Sequence, residues 1–136
     1  MNHWLLKTEP ETYSWNDLVK KGADIWDGVR NYAARKNMMA MAVGDRAFIY
    51  HSGDDREIVG IAELTKEHFP DPTTEDDRWV VVELKAISKL KRPVSLQEIK
   101  ADERLRDIDL VRLGRLSVQT LSPEAYQIIL EKSETN

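Results

Sequence analysis

Apolar residues recur along this chain with two different spacings, and each change of spacing marks an element boundary. Residues 3–7 form a short, largely apolar run closed by Thr8-Glu9-Pro10, which predicts an opening strand. Ser14-Trp15-Asn16-Asp17 resembles a capping box, with a hydroxyl to accept an unpaired N–H and an acid in the first turn. A helix to about Lys21, stopped by Gly22, follows. From Asn31 to Met41 there is neither Gly nor Pro, and Ala34, Met38 and Met41 fall at i, i+4 and i+7. That spacing predicts a second helix whose methionine stripe faces a core. Gly44-Asp45 then turns the chain into residues 46–52, rich in aromatic and β-branched side chains and read as a strand.

Residues 57–65 and 78–87 are the other two good strands, joined through the Pro70-Asp71-Pro72 loop. In the second, Val80, Val82, Leu84 and Ala86 share one face and Trp79, Val81, Glu83 and Lys85 the other, which suits a curved sheet with one face buried. Ser95-Leu96-Gln97-Glu98 has full capping-box spacing and opens a short helix; residues 113–119 return to an extended pattern. Ser122-Pro123 starts a last helix carrying Tyr126, Ile129 and Leu130 on one stripe, with 131–136 expected to fray. The pattern predicts an α+β fold, with four strands near 3–7, 46–52, 57–65 and 78–90 joining one curved sheet closed by helices.

Length changes this picture only by limiting it: 136 residues suffice for one domain with a core and are too few for two ordinary ones. The chain is 41% hydrophobic and 32% charged, with no run long enough for a membrane span and no basic stretch leading into an apolar one at its start. A soluble protein without membrane contact is expected, with the cytoplasm as default compartment and a monomer as default state. A net charge of −4 argues against affinity that comes mainly from neutralising a phosphate backbone. A local basic site is still allowed, since Gly28 to Gly53 holds Arg30, Arg35, Lys36 and Arg46 against one acid, Asp45.

Candidate chemistry is sparse. There is no cysteine, and His3, His51 and His68 have no ligand spacing, so neither a metal site nor a cofactor is expected. Phosphate-binding glycine loops and nucleophile elbows are also absent. Lys7-Thr8-Glu9 offers an amine, a hydroxyl and a carboxylate, but neighbours on a strand point to alternate faces, and Lys7 and Glu9 meet only if the strand reaches Pro10. His51-Ser52 at a strand end reads as half of a hydrolytic pair or, with less assumed, as polar pocket lining. The stretch Trp26-Asp27-Gly28-Val29-Arg30-Asn31 is richer: an aromatic face, a tight turn, a forked donor and an amide, all suited to reading a flat polar ring such as a nucleobase. A structural Trp plugging a core beside an Arg that braces a loop fits the same spacing.

Taken in order, Trp4-Leu5-Leu6-Lys7-Thr8-Glu9-Pro10, Trp26-Asp27-Gly28-Val29-Arg30-Asn31, Gly44-Asp45, Tyr50-His51-Ser52, Val59-Gly60-Ile61-Ala62 and Gly114-Arg115-Leu116-Ser117-Val118-Gln119 closely resemble the EVE-domain family. The resemblance spans nearly the whole chain, so 1–136 is expected to be a single EVE domain of the PUA-like superfamily. It implies a β pseudo-barrel, a mixed curved sheet of five to six strands with surrounding helices. It also implies a non-enzymatic reader of a modified base, modified cytosine foremost, in DNA or RNA. On that resemblance Trp26, Val29, Arg30 and Asn31 line one side of a base pocket, with Lys7, Thr8, Tyr50, His51, Ser52 and Ser117 as further candidates. Ala33, Lys36, Met38 and Met39 depart from the family's usual residues on the helix, leaving its flank fewer polar groups. Competing expectations are an amidohydrolase-like enzyme acting on a modified nucleoside, as among the related ASCH domains, and a small-ligand sensor.

Overall fold

A computed structural model describes residues 1–134. The opening strand β1 (His3–Thr8) leads through a turn to helix α1 (Trp15–Lys21), whose Ser14 side chain and Asp17 cap each other reciprocally. A three-residue strand β2 (Ala23–Ile25) precedes the helix α2 (Tyr32–Met39). Three strands follow: β3 (Arg46–His51), β4 (Glu57–Pro70) and β5 (Val80–Ser95). The C-terminal part packs α3 (Leu96–Ala101), a 3-10 turn at Glu103–Leu105, α4 (Asp109–Arg112), strand β6 (Val118–Leu121) and α5 (Pro123–Glu134).

All six strands join one sheet in the order β2-β5-β4-β3-β1-β6. The β1–β3 pair is parallel and the other pairs are antiparallel, so the sheet is mixed. Its two ends, β2 and β6, are spanned by α2, which packs against β6 and against β5 beside β2. The Asn37 amide of α2 donates to the Val118 carbonyl at 2.7 Å, tying the helix to the β6 edge. The result is the α+β, helix-closed pseudo-barrel that the sequence predicts.

Alternation along the central strands serves two cores. Trp4 and Leu6 of β1 and Ala47 and Ile49 of β3 point inward, joined by Trp15, Trp26, Val29, Ala34 and Met38. Leu5, Phe48 and Tyr50 point outward beneath Ile99, Leu105, Leu110 and Ile129 of the C-terminal helices. The expectation of one buried face is therefore corrected: helices cover both, and the nearly continuous apolar runs of β1 and β3 are what double burial requires. Gly60 is dictated by this packing, because a Cβ there would lie 2.6 Å from the Trp15 ring, at a point where the β4–β5 register shifts.

Several boundaries differ from the sequence expectation. β4 runs well past 65 because polar Lys66, Glu67 and His68 remain in a bulged hairpin, with Lys66 opposite Glu83 and Phe69 opposite Val81, and β5 runs past 87 because Lys89, Val94 and Ser95 pair with Gly60, Ile58 and Glu57. β2 and α4 are too short to show a period. α5 holds to Glu134, past the expected fraying point, because Arg92 donates to the Lys132 carbonyl at 2.8 Å and the Lys132 ammonium sits 2.9 Å from Asp102. The rest of the segment expected to fray, residues 135–136, lies outside the described residues. No helix among the described residues is long and apolar enough to cross a membrane.

Candidate functional site

Where β1 ends beside the loop between β2 and α2, a cavity of about 600 Å³ opens to solvent. Its apolar floor is Ile25, Trp26 and Val29; Lys7, Thr8, Thr12, Asp24, Asp27, Arg30 and Ser117 supply polar groups around it. Trp26 is pinned from behind, since its backbone N–H continues the β2–β5 pairing by donating to the Val82 carbonyl at 2.9 Å. Its ring meets that of Tyr13 edge to face, 6.0 Å apart and at 89°, so the two make a corner against which a flat ring can lie.

The polar groups are held in place by neighbours. Tyr13 donates its hydroxyl to Asp24 at 2.6 Å; burial, that bond and the nearby carboxylates raise its pKa far above the ordinary value, keeping it a neutral donor. Thr8 donates to the Tyr13 carbonyl at 2.7 Å, which fixes the ring from the β1 side. Arg30 donates to Asp71 and to the Val29 carbonyl, both at 2.9 Å, and its guanidinium lies 5.7 Å from the Trp79 ring centroid. Asp71 itself is buried. It accepts from the Thr73 backbone at 2.7 Å, the Thr73 hydroxyl at 2.5 Å and the Gly28 N–H at 3.3 Å, besides Arg30. Burial pushes its carboxyl up, but these bonds outweigh it and hold the pKa below the usual carboxylate range. Gly28 adopts φ 77°, the left-handed turn that aims its N–H at Asp71.

Six of the residues singled out in the sequence thus meet around one cavity: Lys7, Thr8, Trp26, Val29, Arg30 and Ser117. The other four are placed elsewhere. Asn31 caps α2, its side-chain oxygen accepting from the Ala34 N–H at 3.0 Å. His51 is buried and its Nε2 accepts from the Trp15 N–H at 3.0 Å, leaving Nδ1 to face Asp55 at 3.3 Å, so it positions α1. Tyr50 and Ser52 line a neighbouring cleft together with Lys7. Trp26 plugs the inner core and Arg30 braces a loop, as the structural reading of this segment has it, and each also lines the cavity.

Sequence reasoning missed Tyr13, Asp24 and Asp71. Tyr13 and Asp24 lay between recognised elements with no motif around them. In the sequence Asp71 marks only a proline-flanked loop, although an acid between two prolines is a rigid place from which to accept several hydrogen bonds. Among the described residues no group of three or more His, Cys, Asp or Glu side chains is placed to hold a metal ion.

Residues 2–132 match the family model of the EVE domain. The chain belongs to the EVE domain family. Thymocyte nuclear protein 1 of Mus musculus is 34% identical, over 98% of this chain and 74% of the relative. Among solved structures, Rpa0253 from Rhodopseudomonas palustris superposes with a TM-score of 0.93 at 44% identity, covering 98% of this chain and 94% of that one. Human THYN1 in complex with 5-methylcytosine containing DNA superposes with a TM-score of 0.93 at 30% identity, covering 100% of this chain and 99% of that one. For this EVE domain, the architecture expected from the resemblance and the one described above are the same.

Proposed function

We propose that this EVE domain is a nucleic-acid reader that takes a modified base, with 5-substituted cytosine as first candidate, into the cavity at Trp26 and does no chemistry on it. The observation that carries the reading is the aromatic corner of Trp26 and Tyr13 inside a cavity large enough for one base and ringed by both donors and acceptors. Carboxylates are the natural acceptors for the cytosine amine, and Asp24 and Asp27 face the cavity. Lys7, Arg30 and Ser117 offer donors for ring nitrogen and carbonyl. The 5-methylcytosine DNA bound by human THYN1 supports the same ligand class here.

Magnitudes favour single-stranded or easily opened sites. Extruding a base from a duplex costs a few kcal/mol, while stacking on an aromatic returns roughly 1–3 kcal/mol. One buried methyl adds about 0.8 kcal/mol, roughly fourfold in affinity, so preference for a methylated base is modest unless polar contacts sharpen it. Binding rather than hydrolysis is supported by the placement of Glu9, which is exposed past the end of β1 and outside the cavity lining, while the Lys7 ammonium donates to the Gly114 carbonyl. The test is a titration against matched single-stranded oligonucleotides, DNA and RNA, carrying one cytosine, 5-methylcytosine or 5-hydroxymethylcytosine. Tighter binding of a modified strand by fourfold or more is expected. Equal affinity for all of them contradicts the reading.

A further inference from the structure

Lys7 has a cavity on each side. Besides the one at Trp26, it lines a second cleft of about 260 Å³, together with Arg56 and Lys100, the Ser52 hydroxyl and Tyr50. Three cations line this cleft and no carboxylate does. In a chain of net charge −4 that is an unusual concentration. Several cations elsewhere sit on acids: Arg30 on Asp71, Arg46 and Lys85 on Glu63, Arg78 on Asp76, Arg104 on Asp102. Among the described residues none of Lys7, Arg56 and Lys100 forms such a pair. Asp54 and Asp55 line a separate cleft that shares Arg56 and Lys100, and Asp55 is turned to His51 at 3.3 Å.

Two further observations mark the cleft as built for an anion. Lys7 is partly buried, its pKa lowered by loss of solvent, and its partners are the Gly114 carbonyl and the Tyr50 ring, 5.6 Å from the ammonium to the ring centroid. A desolvated ammonium with only neutral partners gains when a negative group arrives. Arg56 is the only non-glycine among the described residues with positive φ, at 46°, and its carbonyl accepts from the Leu96 N–H at 2.9 Å. Glycine or asparagine would adopt that turn at less cost, so the arginine side chain is kept where the backbone disfavours it.

We infer that this cleft holds a backbone phosphate of the strand whose base enters the cavity at Trp26, with Lys7 as the residue common to both. The inference rests on the base-reading proposal for the strand's identity and adds where its backbone runs: from the end of β1 across the β3–β4 turn toward α3. It also assigns Arg56 and Lys100, which no motif singled out, to nucleic-acid affinity rather than to base choice.

The test uses the full chain and the double variant Arg56→Asn with Lys100→Ala, asparagine being chosen because it tolerates positive φ. Both positions are exposed, so thermal unfolding should be unchanged. Affinities are measured for a single-stranded DNA carrying one 5-methylcytosine, for its unmodified counterpart and for 5-methyl-2′-deoxycytidine, over a range of sodium chloride. The double variant is expected to lose about tenfold in oligonucleotide affinity at low salt and to flatten the logarithmic salt slope by about 0.7, the contribution of one phosphate on a single strand. Its ratio of modified to unmodified binding and its nucleoside affinity should match the parent. Unchanged slope and affinity, or equal loss for oligonucleotide and nucleoside, would overturn the phosphate assignment while leaving base reading standing. A parent ratio of one with a flattened variant slope would do the reverse. Saturable binding of inorganic phosphate that the double variant abolishes, with oligonucleotide affinity and salt slope left as in the parent, would assign the cleft to a free anion and overturn the inference.

Discussion

On the inner face of the sheet Trp4, Trp15 and Trp26 pack with Met38 and Met41, while the outer face is Leu5, Phe48, Ile58, Leu105, Leu110 and Ile129 under the C-terminal helices, with no tryptophan at all. The inner layer holds three tryptophans and is open at one end, where Trp26 reaches the cavity. The outer layer's aromatic side chains are the smaller Phe48 and Tyr50, and Tyr50 borders the basic cleft at Lys7. Large flat side chains leave corners that small helices cannot fill, and polar anchors such as Asp45 on the Trp4 indole at 2.9 Å fix them. The contrast teaches where stability and base recognition are separated in this fold: the outer layer holds the sheet together, and the inner layer shapes the cavity with side chains that are also core.

That separation can be broken most strongly from the outside. Ile129→Ala, at a fully buried position beneath the sheet, should cost about 2–5 kcal/mol in chemical denaturation, yet the fraction still folded should bind ligand as the parent does. Loss of affinity per folded molecule would mean that the two layers are not independent.

Asp71→Asn comes next and acts on the loop network that braces the cavity. It leaves Arg30, Gly28 and Thr73 without their charged acceptor and should cost about 1–3 kcal/mol. The sign of its pH dependence follows from the depressed pKa: the stabilisation is present above the unfolded value, near 4, and is lost as pH falls through the folded value. Melting curves from pH 7 down to 3 should therefore fall more steeply for the parent than for Asp71→Asn. Parallel curves would show that Asp71 does not anchor the loop as an anion.

Trp26→Leu keeps apolar volume in the inner core but removes the aromatic face. Its expected effect is on binding, a loss of about tenfold from a stacking contribution of roughly 1–3 kcal/mol. Truncation to alanine is a poorer probe, because Trp26 is only 8% exposed and its removal would cost about 3–5 kcal/mol of fold as well. Arg30→Lys should have the smallest effect, about threefold, and on the ratio of modified to unmodified binding more than on total affinity. It keeps the ion pair's charge while losing the planar fork and its packing over Trp79. A drop in affinity with the ratio intact would make Arg30 a brace only.

The layered fold was legible wherever apolar residues recur with a clear period. The capping boxes at Ser14 and Ser95 form as spaced, and Val80, Val82 and Leu84 share the face read from their alternation. What escaped has one cause in each case. β2 spans three residues, fewer than two repeats of a strand, and its pairing with Lys85 and Leu84 exists only in three dimensions. Lys66, Glu67 and His68 look like a loop because their side chains are polar, yet hairpin pairing holds their backbone. The cavity was half legible: Trp26 and Arg30 announced themselves by type and spacing, whereas Tyr13, Asp24 and Asp71 act by contacts across 11 to 41 residues that no local pattern carries.

The claim that Trp26 forms the base site is tested most directly by the four indole N–H signals of the 15N-labelled protein during titration with 5-methyl-2′-deoxycytidine. The Trp4 indole, locked to Asp45 in the inner core, serves as the internal reference. The account predicts that the Trp26 indole and the backbone amides of Gly28, Val29 and Arg30 shift in a saturable manner, while Trp4, Leu105 and Ile129 stay in place. Saturable binding that shifts the outer-layer amides and leaves Trp26 unmoved would contradict it.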